Sequence, residues 1–480
     1  MKGKKLHIAV DLGASNGRVV VGDLTEFQVM NRFETANDNL LGEFHWDILG
    51  IFSEIKKGLK AAFAEYGSQI VSIGIDTWGV DYGLLDAHGS LVAMPYHYRD
   101  NRTDGMIEEL CAAFPGGREA LFDRTGLAFQ PFNTLYQLAA MKKYRPEVLS
   151  SARTYLSIPD LLAYWLTGTR STERSHASTT QLYDPRSRDW AWDIIEFLGL
   201  DRSLFGPITD SGTVLGPLTE ALRHELGAPE STVVIATACH DTASAVAAVP
   251  ARSGESYAYI SSGTWSLLGV ERPQPLVSSQ VLADGFTNEI AADGGVRLLK
   301  NIMGMWIQQE CVRYWRAQGE DISWKELDVQ TEEAMGSYHG AIDPNDPRFL
   351  KPNSHDSLMV DRITAWCREH GQSVPSSKGE FMVAIYRGLA SIYASSITSL
   401  EAMIGEKLSS LYIIGGGSKN HILDQWTADA TGLTVHAGPI DATALGNILV
   451  QMKAVGAVSN YEEGRAILRE SQDIKTYKPR

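Results

Sequence analysis

The stretch LHIAVDLGASNGRVVVGD, residues 6–23, consists of two apolar runs on either side of a polar turn that contains glycine. A second stretch of the same kind, YAYISSGTWSLLGV, occupies residues 257–270. Glycine admits positive φ and lets backbone N–H groups approach an anion, while Ser and Thr hydroxyls add further donors. Two such hairpins, one in each half of the chain, predict two loops that grip one polyphosphate.

Either hairpin on its own could be an ordinary strand turn, because Asn16-Gly17 is a strong type I′ turn signal. Asp11 favours a phosphate-binding loop over an ordinary strand turn for the first hairpin. A carboxylate at the end of a strand that faces a phosphate requires a divalent cation between the two groups. We therefore expect Asp11 to organise Mg²⁺.

The length of 480 residues exceeds what one hydrophobic core supports and predicts two large domains. The helix-compatible pattern breaks at residues 250–254, Pro-Ala-Arg-Ser-Gly. This break predicts an N-terminal domain of residues 1–245 and a C-terminal domain of residues 246–480. The net charge of −15 argues against nucleic acid or an anionic membrane as a partner, since both require clustered Lys and Arg.

The chain has four widely spaced cysteines without a CxxC pair, a pattern that predicts neither zinc nor structural disulfides. The N-terminus lacks the apolar region and cleavage site of a signal peptide. No apolar run has transmembrane length. These features predict a cytoplasmic protein.

Strand and helix patterns alternate along both halves, which predicts α/β domains rather than bundles or sandwiches. Residues 46–66 have apolar side chains at helical spacing, and residues 70–76 form a β-branched strand that ends at Thr77-Trp78-Gly79-Val80-Asp81. Ligands of open α/β sheets gather at the carboxyl ends of strands. Gly79 is therefore a candidate substrate contact.

A further strand, residues 233–236, leads into His240-Asp241-Thr242 and a helix of small residues. Phosphoryl transfer to an alcohol needs a carboxylate that accepts the hydroxyl proton, and Asp241 is the candidate. Asp is also a favoured N-cap residue, so the local pattern alone leaves both interpretations open.

Other segments give weaker signals. Residues 299–306 predict the start of a helix that runs to Gln309, with Asn301 as its N-cap, and Gly415–Gly417 could lie beneath a flat base or could be a tight turn. The segment 96–102 suits either a polyol or a solvated loop. Residues 340–357, which include three prolines, predict a long ordered loop.

In combination, these segments resemble the FGGY carbohydrate kinases of the actin-like ATPase superfamily. The resemblance runs from Ile8 to Asn447 and depends on the order and number of modest motifs. These are VDLGASNGR at 10–18, DTWGVD at 76–81, YRD at 98–100, PFNTLYQL at 131–138, HDTASA at 240–245, SSGTWSL at 261–267, KNIMG at 300–304 and the segment 343–349.

The resemblance implies two ribonuclease-H-like domains around a cleft, with ATP bound mainly by the second domain and the sugar mainly by the first. It implies a role for each matching residue. The ATP phosphates would contact Ala14, Ser15, Asn16, Gly17, Arg18 and Thr264. The rest of the nucleotide would contact Gln309 and Gly416. The sugar would contact Gly79, His240, Asp241, Thr242 and Asn301, and Asp241 would be the base.

The activity that the resemblance implies is ATP-dependent phosphorylation of L-rhamnulose at its 1-hydroxyl, in L-rhamnose catabolism. Many members carry a Lys-aromatic-x-Trp pattern where this chain has residues 133–136, Asn-Thr-Leu-Tyr, and this departure weakens the analogy with kinases of glycerol or xylulose. L-fuculose, xylulose and glycerol remain alternative substrates, and a non-catalytic nucleotide-dependent sensor is the alternative from another class. The expected partners are a small sugar and ATP, in a monomer or a small homo-oligomer.

Overall fold

A computed structural model describes residues 1, 3–351, 353–354 and 357–480. The strands in the described part are β1 (Leu6–Leu12), β2 (Asn16–Gly22), β3 (Phe27–Glu34), β4 (Asn37–Leu40), β5 (Glu43–Trp46), β6 (Ile70–Thr77), β7 (Tyr82–Leu85), β8 (Thr154–Ser157), β9 (Tyr183–Asp184), β10 (Asp189–Trp190), β11 (Thr213–Pro217), β12 (Val233–Ala236), β13 (Tyr257–Ser262), β14 (Trp265–Arg272), β15 (Phe286–Ile290), β16 (Val296–Met303), β17 (Ser410–Ile414), β18 (Thr434–Ala437) and β19 (Lys475–Tyr477).

The helices in the same residues are α1 (Ile48–Tyr66), α2 (Met106–Ala113), α3 (Gly117–Thr125), α4 (Thr134–Tyr144), α5 (Pro146–Ser151), α6 (Ile158–Thr167), α7 (Arg174–Ala177), α8 (Trp192–Phe197), α9 (Glu220–Leu226), α10 (Asp241–Ala247), α11 (Ser279–Ala283), α12 (Trp306–Ala317), α13 (Trp324–Ala334), α14 (Met359–Glu369), α15 (Lys378–Ile404), α16 (His421–Thr431), α17 (Ala442–Ala454) and α18 (Tyr461–Ser471). Pro347–Phe349 and Gly416–Lys419 form short 3-10 turns. Pro352, one of the three prolines of the predicted loop, lies outside the described residues.

The chain divides into two compact units. Unit 1 comprises residues 1–252, 271–298 and 442–472, and unit 2 comprises residues 253–270, 299–441 and 473–480. Each unit is therefore assembled from three separate segments of the chain. Across the residues that the structure describes, no helix is both long enough and apolar enough to span a membrane.

One sheet has the strand order β11-β12-β6-β1-β2-β3. β1 pairs antiparallel with β2 and parallel with β6, and β6 pairs parallel with β12. The apolar side chains of β1 and β6 and the buried face of α1 share one hydrophobic core. The carboxyl ends of the parallel strands β1, β6 and β12 consequently meet at one edge of the sheet.

The other large sheet has the order β15-β16-β14-β13-β17-β18-β19. β13 pairs antiparallel with β14 and parallel with β17, and β17 pairs parallel with β18. The central order β16-β14-β13-β17-β18 reproduces β3-β2-β1-β6-β12 of the first sheet. The two halves of the chain therefore contain the same strand arrangement, with a glycine hairpin at the same place in each.

The structure confirms the predicted helix in residues 46–66, with a later start. Asp47 is the N-cap of α1, since its side chain accepts a hydrogen bond from the Gly50 N–H, and Trp46 ends β5. The predicted strands at 70–76 and 233–236 are β6 and β12. Apolar periodicity thus located these elements to within one or two residues.

The expectation of a turn at Asn16-Gly17 is wrong. The turn consists of residues 13–15, Asn16 and Gly17 begin β2, and neither Gly13 nor Gly17 has a positive φ. A Cβ on Gly17 would lie 2.6 Å from the Phe33 ring and 2.7 Å from Leu12. Glycine fits at position 17 because the ends of the Phe33 and Leu12 side chains occupy the space of a Cβ there.

The prediction that a helix starts near Asn301 is also wrong. Asn301 lies within β16, and the helix begins only at Trp306. Gly304 and Met305 separate the two elements, and the Met305 N–H donates to the Gly263 carbonyl. Alternation of apolar residues in a strand and a short apolar run before a helix are hard to tell apart in eight residues.

A buried polar chain links α17 to the first sheet. His7 Nδ1 lies 2.7 Å from Ser72 Oγ, which donates to Gln451 Oε1 (2.7 Å). Gln451 donates to Asn447 Oδ1 (2.7 Å), and Asn447 donates to Asp76 Oδ2 (2.5 Å). Because the Ser72 hydroxyl hydrogen is used by Gln451, His7 must donate to Ser72.

Burial lowers the pKa of His7 from 6.5 to about 4, so the folded protein binds this proton less readily than the unfolded chain. We expect stability to fall as pH decreases from about 6.5 to about 4, by up to roughly 3 kcal/mol from this residue, and to lose this dependence below pH 4. Urea unfolding at several pH values should show a shallower dependence for His7→Gln than for the natural protein. His224→Gln, at an exposed position, serves as the control; an unchanged slope in His7→Gln would contradict the assignment.

Candidate active site

The first hairpin presents unpaired backbone donors at its turn. The Gly13 N–H donates back across the turn to the Asn16 carbonyl (3.0 Å). Thr35 holds the turn with two hydrogen bonds: its Oγ1 donates to the Gly13 carbonyl and its N–H donates to the Ser15 carbonyl. Within the described part of the chain, the N–H groups of Ala14 and Ser15 have no acceptor. Unpaired donors in a tight turn form an anion-binding concavity.

Asp11 and Arg18 face each other across β1 and β2. Asp11 Oδ2 accepts from Arg18 Nε (2.9 Å) and lies 2.8 Å from Arg18 Nη2. In the parallel pairing of β1 with β6, Asp11 is in register with Asp76. The strand pairing therefore brings two carboxylates and one guanidinium to the same edge of the sheet.

Asp76 is completely buried, and its Oδ1 has no hydrogen-bond partner among the described residues. Burial and the neighbouring Asp11 charge raise the pKa of Asp76 well above its ordinary value. Mg²⁺ binds through one or two carboxylates, keeps several waters and takes its remaining ligands from phosphates. Asp11 and Asp76 fit that donor set, although the described residues contain no cluster of three or more potential metal ligands.

Asp241 is the first residue of α10, and its two carboxylate oxygens have different surroundings. Oδ1 accepts from the Thr242 N–H (2.6 Å) and from Thr242 Oγ1 (3.1 Å). Oδ2 accepts no hydrogen bond from the residues that the structure describes, and the side chain is 30% exposed. One oxygen is anchored, and the other is available to a substrate.

The N-cap position of α10 is occupied by His240, without a side-chain cap, so the N-cap interpretation of Asp241 is wrong. Burial is the largest influence on the Asp241 carboxyl and raises its pKa; the nearby His240 acts in the opposite direction, and Asp11 adds to the rise. A raised pKa suits a general base, because proton transfer is most efficient when the pKa of the base lies near the working pH.

Gly79 lies beside His240. A Cβ on Gly79 would be 3.4 Å from His240 Nε2 and 3.3 Å from Thr179 Oγ1, and His240 Nε2 is 3.5 Å from Asp241 Oδ1. The carboxyl ends of β6 and β12 thus bring together Gly79, His240, Asp241 and Thr242, the four sugar contacts predicted on unit 1.

The residue after Gly79 has a strained backbone. Val80 has φ of 69°, a conformation that costs a β-branched residue about 1–3 kcal/mol. The Val80 N–H donates to Thr179 Oγ1 (3.1 Å), and the Val80 carbonyl accepts from Thr134 Oγ1 (2.6 Å). Thr134 belongs to the segment that departs from the common family pattern, so this segment holds the Gly79 turn in place.

Asp81 fixes the same turn from its other end. Its carboxylate accepts from the indoles of Trp46 (2.7 Å) and Trp78 (3.0 Å), from the Tyr98 N–H and from Gln137 Nε2 (2.9 Å). Burial raises the pKa of Asp81 to about 6. Trp78 is therefore a structural residue of this turn as well as part of the core.

Glu173 fixes the loop that carries His240. Its Oε2 accepts from the Cys239 N–H (3.1 Å) and from Ser175 Oγ (2.5 Å), and Ser175 Oγ accepts from the His240 N–H (3.2 Å). Glu173 is fully buried, and its Oε1 accepts from Ser211 Oγ (2.6 Å). The position of the Asp241 backbone consequently depends on a carboxylate 68 residues earlier in the chain.

The predicted nucleotide residues Thr264, Gln309 and Gly416 lie in unit 2, around the second hairpin. The Gly263 N–H donates across the turn to the Trp265 carbonyl (2.8 Å), as Gly13 does in the first hairpin, and the Thr264 N–H has no acceptor in the described residues. The Thr264 carbonyl accepts from the Trp306 N–H at the start of α12, the helix that contains Gln309.

The glycine turn after β17 packs against the second hairpin. A Cβ on Gly417 would lie 1.9 Å from Ser262 Oγ, whereas a Cβ on Gly416 would meet nothing within 4 Å. Gly417 is therefore a close-packing glycine, and Gly416 leaves open space. Asn301 lies in unit 2 on β16, half-buried.

Four residues near the site were not identified from the sequence: Asp76, Glu173, Glu289 and Arg297. Glu289 and Arg297 come from residues 271–298, a segment beyond the predicted domain boundary that belongs to unit 1. Glu173 lies in a Ser- and Thr-rich run at 171–180, which the structure buries almost throughout. Because such a composition is typical of a loop, the sequence alone contained no signal for a buried carboxylate there.

Two family models match the chain: the FGGY family of carbohydrate kinases, N-terminal domain, at residues 6–248, and the C-terminal domain of the same family at residues 258–455. The chain therefore belongs to the FGGY family of carbohydrate kinases, as the resemblance indicated. Membership implies ATP as the phosphate donor and a sugar as the acceptor.

Curated relatives carry a more specific name. The rhamnulokinase of Oceanobacillus iheyensis is 40% identical over 99% of this chain and 98% of its own, and that of Halalkalibacterium halodurans is 40% identical over 98% of both. The rhamnulokinase of Bacillus subtilis is 39% identical over 99% of this chain and 96% of its own.

Solved structures share the fold at low sequence identity. A ligand-bound xylulose kinase from Lactobacillus acidophilus has a TM-score of 0.79 at 16% identity over 99% of this chain and 94% of its own. A glycerol kinase from Plasmodium falciparum solved with ADP has a TM-score of 0.77 at 15% identity over 100% of this chain and 95% of its own. These neighbours have the actin-like ATPase fold, so the predicted fold class is confirmed.

Proposed function

We propose that this protein transfers the γ-phosphoryl group of ATP to the 1-hydroxyl of L-rhamnulose, giving L-rhamnulose 1-phosphate and ADP. The observation that carries the proposal is the Asp241 carboxylate, with Oδ1 anchored by Thr242 and Oδ2 open, in a chain about 40% identical over nearly its full length to rhamnulokinases. The name of those relatives supplies the choice of sugar.

In this proposal, the 1-hydroxyl oxygen attacks the γ-phosphorus and forms the new P–O bond. The bond between the γ-phosphorus and the bridging oxygen breaks, and its electron pair leaves with ADP. The hydroxyl proton moves to Asp241 Oδ2. Gly79, His240, Thr242 and Asn301 contact the sugar and orient its 1-hydroxyl, which lowers the entropic cost of reaching the transition state.

Ala14 to Arg18 and Thr264 bind the ATP phosphates in this proposal, and Gln309 and Gly416 bind the rest of the nucleotide. The unpaired N–H groups of Ala14, Ser15 and Thr264 support these roles, because fixed backbone donors stabilise negative charge on phosphate oxygens. Arg18 has a second task in this arrangement, since it holds Asp11.

Asp11 is the residue proposed to hold Mg²⁺ through its water shell, with Asp76 beside it. The ion would neutralise charge on the β- and γ-phosphates of ATP. The unpaired Oδ1 of Asp76 supports a cation or its bound water at this edge of the sheet.

A coupled assay of ADP release with L-rhamnulose, L-fuculose, D-xylulose and glycerol tests the substrate. We expect the highest kcat/KM for L-rhamnulose, and phosphorus NMR of the product should place the phosphate on C1. A higher kcat/KM for another acceptor would overturn the choice of sugar. ADP release that does not depend on any sugar would overturn the kinase assignment.

Gly79→Ala tests the sugar contact. The added methyl would lie 3.3–3.4 Å from Thr179 Oγ1 and His240 Nε2, in the space assigned to the sugar. We expect roughly a tenfold or greater rise in the KM for the sugar, with the KM for ATP unchanged, because small displacements of a bound substrate are costly. Gly336→Ala, where nothing lies within 4 Å of the new methyl, is the matched control. An unchanged sugar KM would remove Gly79 from the site.

A further inference from the structure

The ring of His240 is held by two buried side chains, Arg297 and Glu289. Arg297 Nη2 lies 3.2 Å from His240 Nδ1 and donates to Glu289 Oε2 (3.0 Å). Arg297 Nε donates to the Ile290 carbonyl (3.2 Å), and the Arg297 side chain is fully buried. All of these residues belong to unit 1.

The chemistry of the guanidinium decides which ring nitrogen carries the proton. Arginine has only donors and stays protonated, so a histidine nitrogen that bonds to it must offer a lone pair. Nη2 has two hydrogens, and its two acceptors are Glu289 Oε2 and His240 Nδ1. With Nδ1 as an acceptor, the single ring proton of neutral His240 lies on Nε2.

Glu289 competes for the same ring nitrogen. Its Oε2 is 3.2 Å from His240 Nδ1 and would favour a proton there. Burial opposes ionisation of Glu289, but the Arg297 guanidinium and, after it, the His240 ring hold the pKa of Glu289 below its ordinary value, so this carboxylate is an acceptor for the guanidinium. Hydrogen bonds to the Ile290 carbonyl and to Glu289 fix Arg297 at Nε and Nη2. Its donor direction towards His240 Nδ1 therefore does not depend on the histidine ring.

We propose that Arg297, itself held by Glu289, is a positioning residue that keeps His240 in the Nε2–H tautomer. The Nε2–H then faces Asp241 Oδ1 at 3.5 Å and the open side of Gly79. Asp241 Oδ1 accepts two hydrogen bonds from Thr242 and has His240 Nε2 3.5 Å away, so Oδ2 is the oxygen left to accept the substrate proton. This consequence for catalysis rests on the proposed function, whereas the tautomer does not.

The test is nitrogen NMR of the full chain labelled with ¹⁵N-histidine, without sugar or ATP. A spectrum of His240→Asn identifies the His240 signals. We expect Nε2 protonated and Nδ1 unprotonated in the natural protein. In Arg297→Met the proton should move to Nδ1, where Glu289 accepts it, and kcat/KM for the sugar should fall roughly 10- to 100-fold with the KM for ATP unchanged.

Two further variants separate positioning from folding. Glu289→Gln leaves the arginine donor in place and should keep the Nε2–H tautomer, and Arg297→Lys should restore it in part together with the activity. Glu271→Gln removes the carboxylate of another Arg–Glu pair in unit 1, 2.7 Å from Arg465, and should change neither readout. If Arg297→Met does not fold, the Arg297→Lys and Glu289→Gln spectra carry the test.

A proton on Nδ1 in the natural protein, or an unchanged tautomer in folded Arg297→Met, would overturn the proposal. If Arg297→Met does not fold, a proton on Nδ1 in Glu289→Gln, or a proton found on Nδ1 alone in Arg297→Lys, would do the same. If the spectra are as expected but the natural protein does not phosphorylate the sugar, the proposed function is wrong and the tautomer assignment is still supported.

Discussion

Asp241→Asn should fold normally, bind ATP normally and lose about 10²- to 10⁴-fold in kcat, the range that general-base catalysis supplies. The amide oxygen of asparagine can take the place of Oδ1 and accept from the N–H and hydroxyl of Thr242, so α10 keeps its start. The amide nitrogen then occupies the place of Oδ2, where it cannot accept a proton.

The coupled ADP-release assay gives kcat, calorimetry with ATP gives the binding constant, and thermal unfolding reports the fold. Asp193→Asn is a matched control because Asp193 also lies in the first turn of a helix, α8, and is exposed. Near-normal turnover in Asp241→Asn would contradict the role of base.

The direction of the Asp241 pKa shift adds a dependence on pH. A base works only when it is deprotonated, so kcat/KM should rise with pH through the pKa of Asp241. Because burial raises that pKa above the ordinary aspartate value, we expect the acidic limb of the profile at higher pH than for an exposed carboxylate. A profile that is flat down to the ordinary aspartate range would conflict with this assignment.

Glu173→Ala should be the most destabilising single change near the site. It leaves the buried N–H groups of His176 and Cys239 and the hydroxyl of Ser175 without their acceptor. At about 1–3 kcal/mol for each of these three unsatisfied buried groups, we expect a loss of roughly 3–9 kcal/mol in the free energy of unfolding. Turnover should fall as well, by roughly 10²-fold, because the loop that carries His240 loses its support.

Glu173→Gln separates the effect of this residue on stability from its effect on turnover. Its amide oxygen can replace Oε2, while its amide nitrogen faces the Ser211 hydroxyl. It should retain most of the stability. Ser211→Ala removes one donor to Oε1 only and is the control for damage elsewhere in the cluster. Chemical unfolding and the ADP-release assay measure both quantities; a stable and active Glu173→Ala would refute the supporting role.

Elements with a strong local pattern were predictable from the sequence. The alternation in residues 6–12 and 16–22, the helical spacing in residues 48–66 and the strand that leads to His240 each depend on side chains close together in the chain. The candidate base was identified because a polar pair follows a buried strand. Asn301 was misassigned because eight residues of mixed character do not distinguish a strand from a helix start.

The supporting residues could not be predicted, because their contacts join distant parts of the chain. Asn447 and Asp76 are 371 positions apart, and Arg297 and His240 are 57 apart. Neither periodicity nor composition records which distant side chain satisfies a buried carboxylate. Gly17 shows a related limit: glycine was expected there for a positive φ, whereas in the structure the Phe33 ring fills the space of its missing side chain.

The three-segment construction of unit 1 has a consequence for biosynthesis. Arg297 and Glu289 leave the ribosome about 50 residues after Asp241, and Asn447 and Gln451 follow about 200 residues after it. A nascent chain of some 250 residues, which already contains the matched N-terminal family domain, therefore lacks the side chain that donates to Asp76 and the two that hold the His240 ring. Maturation of the candidate site must wait for the segment 442–472, and a gene fragment cut between the two family domains should yield an unfinished unit.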